Sequence, residues 1–174
     1  MSIAAVRDYF AQFGMADNVL EFSTSSATVE LAAQAGAEGD VPVGCVIVRD
    51  GAVISRGRNR REEKQAVCSH AEMEAMAQAN ATLGSWRLDN CALYVTLEPC
   101  PMCAGAILNA RIPKVFYGAR DSTFGACGGV TNLFMEQFPH RPALVGGILA
   151  EDCQAVLAEF FEKLRQGKPS TQSF

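Results

Sequence analysis

Two short motifs, His70-Ala71-Glu72 and Pro99-Cys100-Pro101-Met102-Cys103, restrict the fold more than any other part of the chain. Each stands at the start of a predicted helix, after an irregular segment. Imidazole nitrogen and thiolate sulfur are preferred zinc ligands, and His70, Cys100 and Cys103 form a set of three that leaves a fourth tetrahedral position for water. An open position marks a catalytic site rather than a structural one. Helix N-termini suit this work, because the positive end of the macrodipole favours the thiolate form that binds metal. Glu72 follows His70 by two residues, about 200° around a helix, so the pair shares no face within a helix body yet can converge where the first turn begins. One residue is then free to ligate while the other reaches the bound water.

The remaining sequence supplies a scaffold for that meeting. Ile3, Val6, Phe10 and Phe13 recur at helical spacing until Gly14, and Ser25 or Ser26 offers a cap for a second helix over Thr28 to Ala35. Val43 to Arg49 is apolar and β-branched, Asp50-Gly51 is a two-residue hairpin signal, and Ala52 to Arg56 returns as the second strand. A helix is expected from near His70 to Gly84, a strand over Leu93 to Leu97, and a helix through Met102 to Asn109 with Pro101 in its first turn. Val115 to Tyr117 and Ala143 to Ile148 read as further strands. Cys153 to Gln166 reads as a closing helix with Val156, Leu157, Phe160, Phe161 and Leu164 on its apolar face. Strands alternating with helices imply an α/β layered fold, and the opening hairpin makes its sheet mixed.

At 174 residues, one domain with a packed core is expected. Seven cysteines, an odd number, with two in a tight Cys-x-x-Cys pair, fit metal binding better than a secreted disulfide framework. No apolar run approaches the roughly 20 residues needed to span a bilayer, and no basic cluster with an apolar core opens the chain, so a cytoplasmic protein without membrane contact is expected. A net charge of −4 argues against coating nucleic acid through a broad basic surface. The densest positive stretch is Arg56, Arg58, Arg60, Arg61 and Lys64, diluted by Glu62 and Glu63; Lys163, Arg165 and Lys168 form a second group. Solvated surface charge is the plainer reading of each.

A lone His-x-Glu is usually structural, and a lone Cys-x-x-Cys serves redox chemistry or structural zinc as readily as catalysis. Together, in order, with a strand ending just before the Pro-Cys, they make the H-x-E…P-C-x-x-C pattern of zinc nucleobase deaminases. Zinc brings the pKa of bound water to about 7. The carboxylate of Glu72 would take the water proton and pass it to the ring nitrogen and the departing amine, releasing ammonia. Cys68 is a surplus ligand candidate, though a buried or incidental thiol is the better reading.

From about Val41 to Arg165 the chain resembles the bacterial tRNA-specific adenosine deaminases of the TadA type. The matching segments are Val41-Pro-Val-Gly44, Gly57-Arg-Asn-Arg60, His70-Ala-Glu72, the run from Leu93 to Ala106, Gly118-Ala-Arg-Asp121, His140-Arg141, Gly147-Ile-Leu-Ala150 and Phe160-Phe161. The resemblance implies a cytidine-deaminase-like three-layer α/β/α fold with a mixed central sheet, one Zn2+ per subunit, and a homodimer. It also implies conversion of the wobble adenosine of an arginine tRNA to inosine. Asn59 matches the position that hydrogen-bonds the target base, and Asp121 lies in the loop that handles the flanking nucleotides of the anticodon stem-loop. Phe161 and Arg165 belong to the end of the chain that contacts RNA. Without the resemblance, Asn59 reads as a turn-forming asparagine and Asp121 as a surface or capping aspartate. The chain departs from the family at Pro139, where asparagine is common, at Arg60 or Arg61, where proline is frequent, and at Val67-Cys68-Ser69, in place of Pro-Thr-Ala.

Residues from Tyr9 to Ala33 resemble instead the opening of the YbaK-type aminoacyl-tRNA deacylases, over too short a length to form a domain. The organisation expected is a 1–24 appendage, a 25–168 zinc-dependent deaminase domain and a 169–174 tail, as a hybrid joined near Leu31 to Ala35. Two rivals remain: a deaminase of a free base such as guanine or cytosine, and a zinc-stabilised RNA-binding module without turnover.

Overall fold

Asp50 and Gly51 join two strands with φ of +50° and +77°, the positive pair that a two-residue type I′ hairpin requires. Around this hairpin the computed structural model describes residues 24–166. The helix expected over Ile3 to Phe13 and most of the deacylase-like segment lie outside the described residues, as does the tail. The elements are α1 (Thr24–Ala37), β1 (Gly44–Arg49), β2 (Ala52–Arg58), the single turn α2 (Arg61–Lys64), α3 (Ala71–Leu83), β3 (Cys91–Leu97), α4 (Pro101–Ala110), β4 (Lys114–Ala119), a 3-10 turn (Leu133–Met135), β5 (Ala143–Val145) and α5 (Ala150–Gln166).

The five strands lie in the order β2-β1-β3-β4-β5. β1 runs antiparallel to both β2 and β3, whereas β3, β4 and β5 are mutually parallel, giving the mixed sheet expected. Strand alternation assigns the helices to two faces. A Cβ at Gly44 would meet the Thr28 carbonyl of α1, and one at Gly57, opposite Cys45, would meet the Ala71 carbonyl of α3. α1 and α3 therefore cover opposite faces of the hairpin. On the α3 side, Cys45, Ile47, Leu93, Val95 and Val115 pack against Ala71, Ala75, Met76 and Ala79, and against Ala104 and Ile107 of α4, forming the main core. On the other side Tyr94 stacks on Phe116, ring centroids 4.6 Å apart, and α5 sets Cys153 against Gly118.

Three elements differ instructively from their sequence expectation. α1 spans Thr24–Ala37 where Thr28 to Ala35 is expected, and β2 continues through Gly57 to Arg58 because pairing with β1 persists where local propensity fails. β5 stops at Val145 instead of reaching Ile148. Gly146 lies so close to the Tyr117 ring that a Cβ would fall 2.3 Å from it, and Gly147 turns at φ +86°. These glycines carry the chain across the end of β4 and into α5. Among the described residues no helix is long and apolar enough to cross a membrane.

The contact at Gly57 fixes the height of α3 on the sheet. Gly57→Ala would place a methyl group 2.2 Å from the Ala71 carbonyl oxygen, and such overpacking is expected to cost about 1–3 kcal/mol in urea unfolding. Gly105→Ala is the control: its Cβ meets open space in mid-helix, so it should be neutral or stabilise by up to about 1 kcal/mol.

Candidate metal centre and active site

His70 and Cys100 are the N-cap residues of α3 and α4, with extended backbones (φ −76°, ψ 156° and φ −72°, ψ 172°). Neither side chain caps its own helix. Each is thus left to project ahead of the first turn, and Pro101, with no amide hydrogen to satisfy, occupies the start of α4. Cys103 follows in the first turn of α4 and is fully buried. The His70 Nδ1 atom stands 3.7 Å from Cys100 Sγ and 3.6 Å from Cys103 Sγ. All three donor atoms lie within 4.8 Å of one another. A tetrahedral ion with bonds of about 2.3 Å to sulfur and about 2.0 Å to nitrogen sets those atoms about 3.5 Å apart. The spacing and the donor chemistry both fit a metal ion. Cys68 is exposed and outside the donor set.

The proton distribution around these atoms follows from burial and contact. The Cys100 thiol is lowered to about 4, chiefly by the hydrogen bond from Cys103 and further by His70. Cys103, the donor in that pair and deeply buried, is pushed up. Contact with Cys100 also raises His70. Glu72, only 3% exposed, sits at the start of α3. Burial raises its pKa to about 7, with the charge of Cys100 adding to the shift. Because His70 stands outside the helix proper, the two-residue spacing brings both side chains to one place.

Asn59 leaves β2 beside this cluster. Its amide nitrogen donates to the Val43 carbonyl at 2.9 Å and its Nδ2 to the Val41 carbonyl at 3.3 Å, while the next amide, of Arg60, donates to Ser69, the neighbour of His70, at 2.9 Å. Asn59 Oδ1 is buried without a hydrogen-bond partner. A buried acceptor left unpaired costs about 1–3 kcal/mol, which an N–H from a ligand would recover. The following turn is held by Asp40, whose buried carboxylate accepts the amides of Glu62 at 2.8 Å and Glu63 at 3.2 Å. Sequence reasoning passed over Asp40 because its partners are backbone amides.

Asp121 reaches the site indirectly. Its Oδ1 accepts the amides of Thr123 at 2.8 Å and Phe124 at 3.1 Å, the hydrogen bonds of a capping aspartate. Its own amide donates to Glu98, a second buried acid that the sequence reading missed. The signal was an acidic residue between an apolar strand and a ligand cysteine. Phe161 is 42% exposed and packs edge-on against Phe160; Arg165 is exposed, and Lys163 pairs with Glu159 at 2.6 Å. No hydrogen bond or ion pair among the described residues joins Phe161 or Arg165 to the donor set. His140 donates from Nε2 to the Ile112 carbonyl at 2.7 Å, a tie beneath α4.

Acids answer the basic stretch. Arg58 pairs with Glu38 and with Glu63, Arg60 with Glu63, Arg61 with Glu62 at 3.1 Å, and Lys64 with Glu74 at 2.8 Å. Apart from those of the largely buried Arg58 side chain, these pairs are exposed and add little stability, but together they cancel most of the charge that the sequence alone displays.

A mixed five-stranded sheet of cytidine-deaminase-like topology, carrying a His-Cys-Cys set and a buried glutamate at two helix N-termini, defines a deaminase. Residues 21–165 match the MafB19-like deaminase family. The chain is 43% identical to the tRNA-specific adenosine deaminase of Bacillus subtilis strain 168, over 83% of this chain and 90% of that protein. A solved structure from work on A-to-I editing by tRNA:A34 deaminases at the wobble position of transfer RNA has 39% identity and a TM-score of 0.74, covering 76% of this chain and 97% of that one. The guanine deaminase structure from Bacillus subtilis has 32% identity and a TM-score of 0.56, covering 89% of this chain and 100% of that one. The chain belongs to this deaminase family.

Metal analysis by mass spectrometry is expected to find close to one ion per chain, removable by a strong chelator. Cys103→Ala should weaken binding by more than about 100-fold, since loss even of a group that merely supports a ligand costs 10–100-fold.

Proposed function

We propose that the protein hydrolyses the wobble adenosine of an arginine tRNA to inosine with one zinc ion held by His70, Cys100 and Cys103. The observation that carries this reading is the buried Glu72 carboxylate beside an open three-donor set. When bound, zinc supplies the Lewis acidity that makes water a nucleophile near neutral pH. Glu72 carries one proton from water to the purine ring nitrogen as the water oxygen bonds to C6, then carries the remaining hydroxyl proton to the C6 amine; the C–N bond breaks, ammonia leaves and the C6 oxygen becomes the carbonyl of hypoxanthine. Its raised pKa suits a group that must both take and give a proton near neutral pH. The unpartnered Asn59 Oδ1 receives an N–H of the flipped base, fixing the ring.

Asp121, Phe161 and Arg165 serve as contacts for the anticodon stem-loop in this reading, with Asp121 acting through the loop it caps. A homodimer in the cytoplasm, with residues 25–168 as the deaminase domain, completes the proposal. Similarity to relatives named for tRNA adenosine supports the substrate. The likeness to guanine deaminase over its full length supports guanine as a second reading.

Incubating the full chain with an arginine tRNA bearing adenosine at the wobble position, then sequencing for inosine, separates the two. Inosine is expected, and Glu72→Ala should retain its zinc while losing 10²–10⁴-fold in rate, the range ascribed to general acid–base catalysis. Ammonia from free guanine with no inosine in tRNA would replace adenosine by guanine; undiminished activity in Glu72→Ala would remove it as the proton carrier.

The N-terminal segment is proposed to be a hybrid appendage, dispensable to this chemistry; the family match begins only at residue 21. Deleting residues 1–23 is expected to leave zinc content and the thermal midpoint unchanged. Loss of zinc or collapse of the fold would show that the segment is integral.

A further inference from the structure

Glu98 is 2% exposed and accepts three hydrogen bonds, every one from backbone: Cys127 N at 2.8 Å and Gly129 N at 2.7 Å on Oε1, and Asp121 N at 3.0 Å on Oε2. It lies between the last residue of β3 and Pro99-Cys100, and its own amide donates to the Ala119 carbonyl at 2.9 Å. One side chain therefore joins the turn bearing Cys100 to residues 121–130. Those residues contain no helix or strand; turns such as Gly125 N to the Asp121 carbonyl at 3.0 Å and Val130 N to the Gly125 carbonyl at 2.9 Å fold them, and Glu98 lies at the centre of those turns.

The fit is tight from the loop side as well. A Cβ at Gly125 would fall 2.6 Å from Glu98 Oε1, and one at Gly129 would fall 2.7 Å from Oε2 and 2.0 Å from the Asp121 carbonyl oxygen. Ala126 and Cys127 are buried inward, with the Ala126 amide donating to the Pro99 carbonyl at 2.9 Å, whereas Phe124 is 66% exposed. The loop is thus a wall, with one side against the site and the other open to an incoming ligand.

We propose that Glu98 is a positioning residue for substrate capture, the acceptor around which the 121–130 loop takes the shape that receives the RNA. This rests on the RNA-deaminase reading above. A carboxylate is needed because it presents acceptors at both ends; glutamine would offer an N–H to one of the three amides, donor against donor. No hydrogen bond joins Glu98 to His70, Glu72, Cys100 or Cys103 among the described residues. A displaced loop should therefore alter capture more than proton transfer.

The test uses the full chain with zinc bound and an arginine-tRNA anticodon stem-loop as substrate. Glu98→Gln is expected to raise KM about tenfold with kcat within about twofold and zinc content unchanged. Gly129→Ala, which pushes on the same carboxylate from the other side, should give the same split if Glu98→Gln fails to fold. Amide exchange over residues 121–130 should quicken about tenfold in both. Unchanged KM, a fall in kcat alone, or zinc lost in step with activity would overturn the proposal, as would unaltered exchange. Should the parent leave the RNA untouched, the substrate reading fails by itself, and the same KM split and exchange are read with free guanine.

Discussion

Everything at this site depends on two helices starting at one point. The N-caps of α3 and α4 supply His70 and Cys100, and no flexible loop positions them: α3 is set by the backbone contact of Gly57 with Ala71, and α4 by the end of β3. A ligand at an N-cap is held by a rigid rod yet keeps an extended backbone that lets its side chain face outward. It also sits where the helix dipole favours negative charge, which suits thiolate. The third donor, Cys103, comes with the same turn of α4. One local arrangement therefore sets geometry and electrostatics together.

The parallel pair β3–β4 gives the site its second wall. The ends of these strands feed Pro99-Cys100 on one side and Arg120-Asp121 on the other, and Glu98 bridges them. The Asn59 side follows from the antiparallel pair β1–β2, with Asp40 holding the turn that follows. Two buried acids thus do equivalent work on opposite sides, each collecting backbone amides that have no partners in regular structure. Such groups need an acceptor, and a carboxylate satisfies several at once.

This explains which parts of the molecule were legible in the sequence. Metal-ligating side chains are few in kind and their spacing is constrained, so the convergence of His70, Glu72, Cys100 and Cys103 could be read from residue order. The hairpin was equally plain, because Asp-Gly answers a specific demand for positive φ. Asp40 and Glu98 were invisible because their partners are main-chain groups, which every sequence has everywhere. Asp121 presented both of its readings, and its side chain forms the capping bonds while its amide reaches Glu98. The ends of β2 and β5 were missed for a related reason: β2 runs through a glycine because its neighbour still pairs, and β5 ends because two glycines let the chain lie on an aromatic ring.

The answered charges along Arg58 to Lys64 have a kinetic meaning. A polyanion drawn to a basic surface is steered from a distance and releases counterions on arrival, so that its capture quickens as salt is lowered. Here the guanidinium groups are already matched by Glu38, Glu62 and Glu63, and the whole chain is negative. A nucleic acid meeting this surface gains little long-range pull. Binding of such a polyanion at this face rests on short-range fit, not on attraction from a distance.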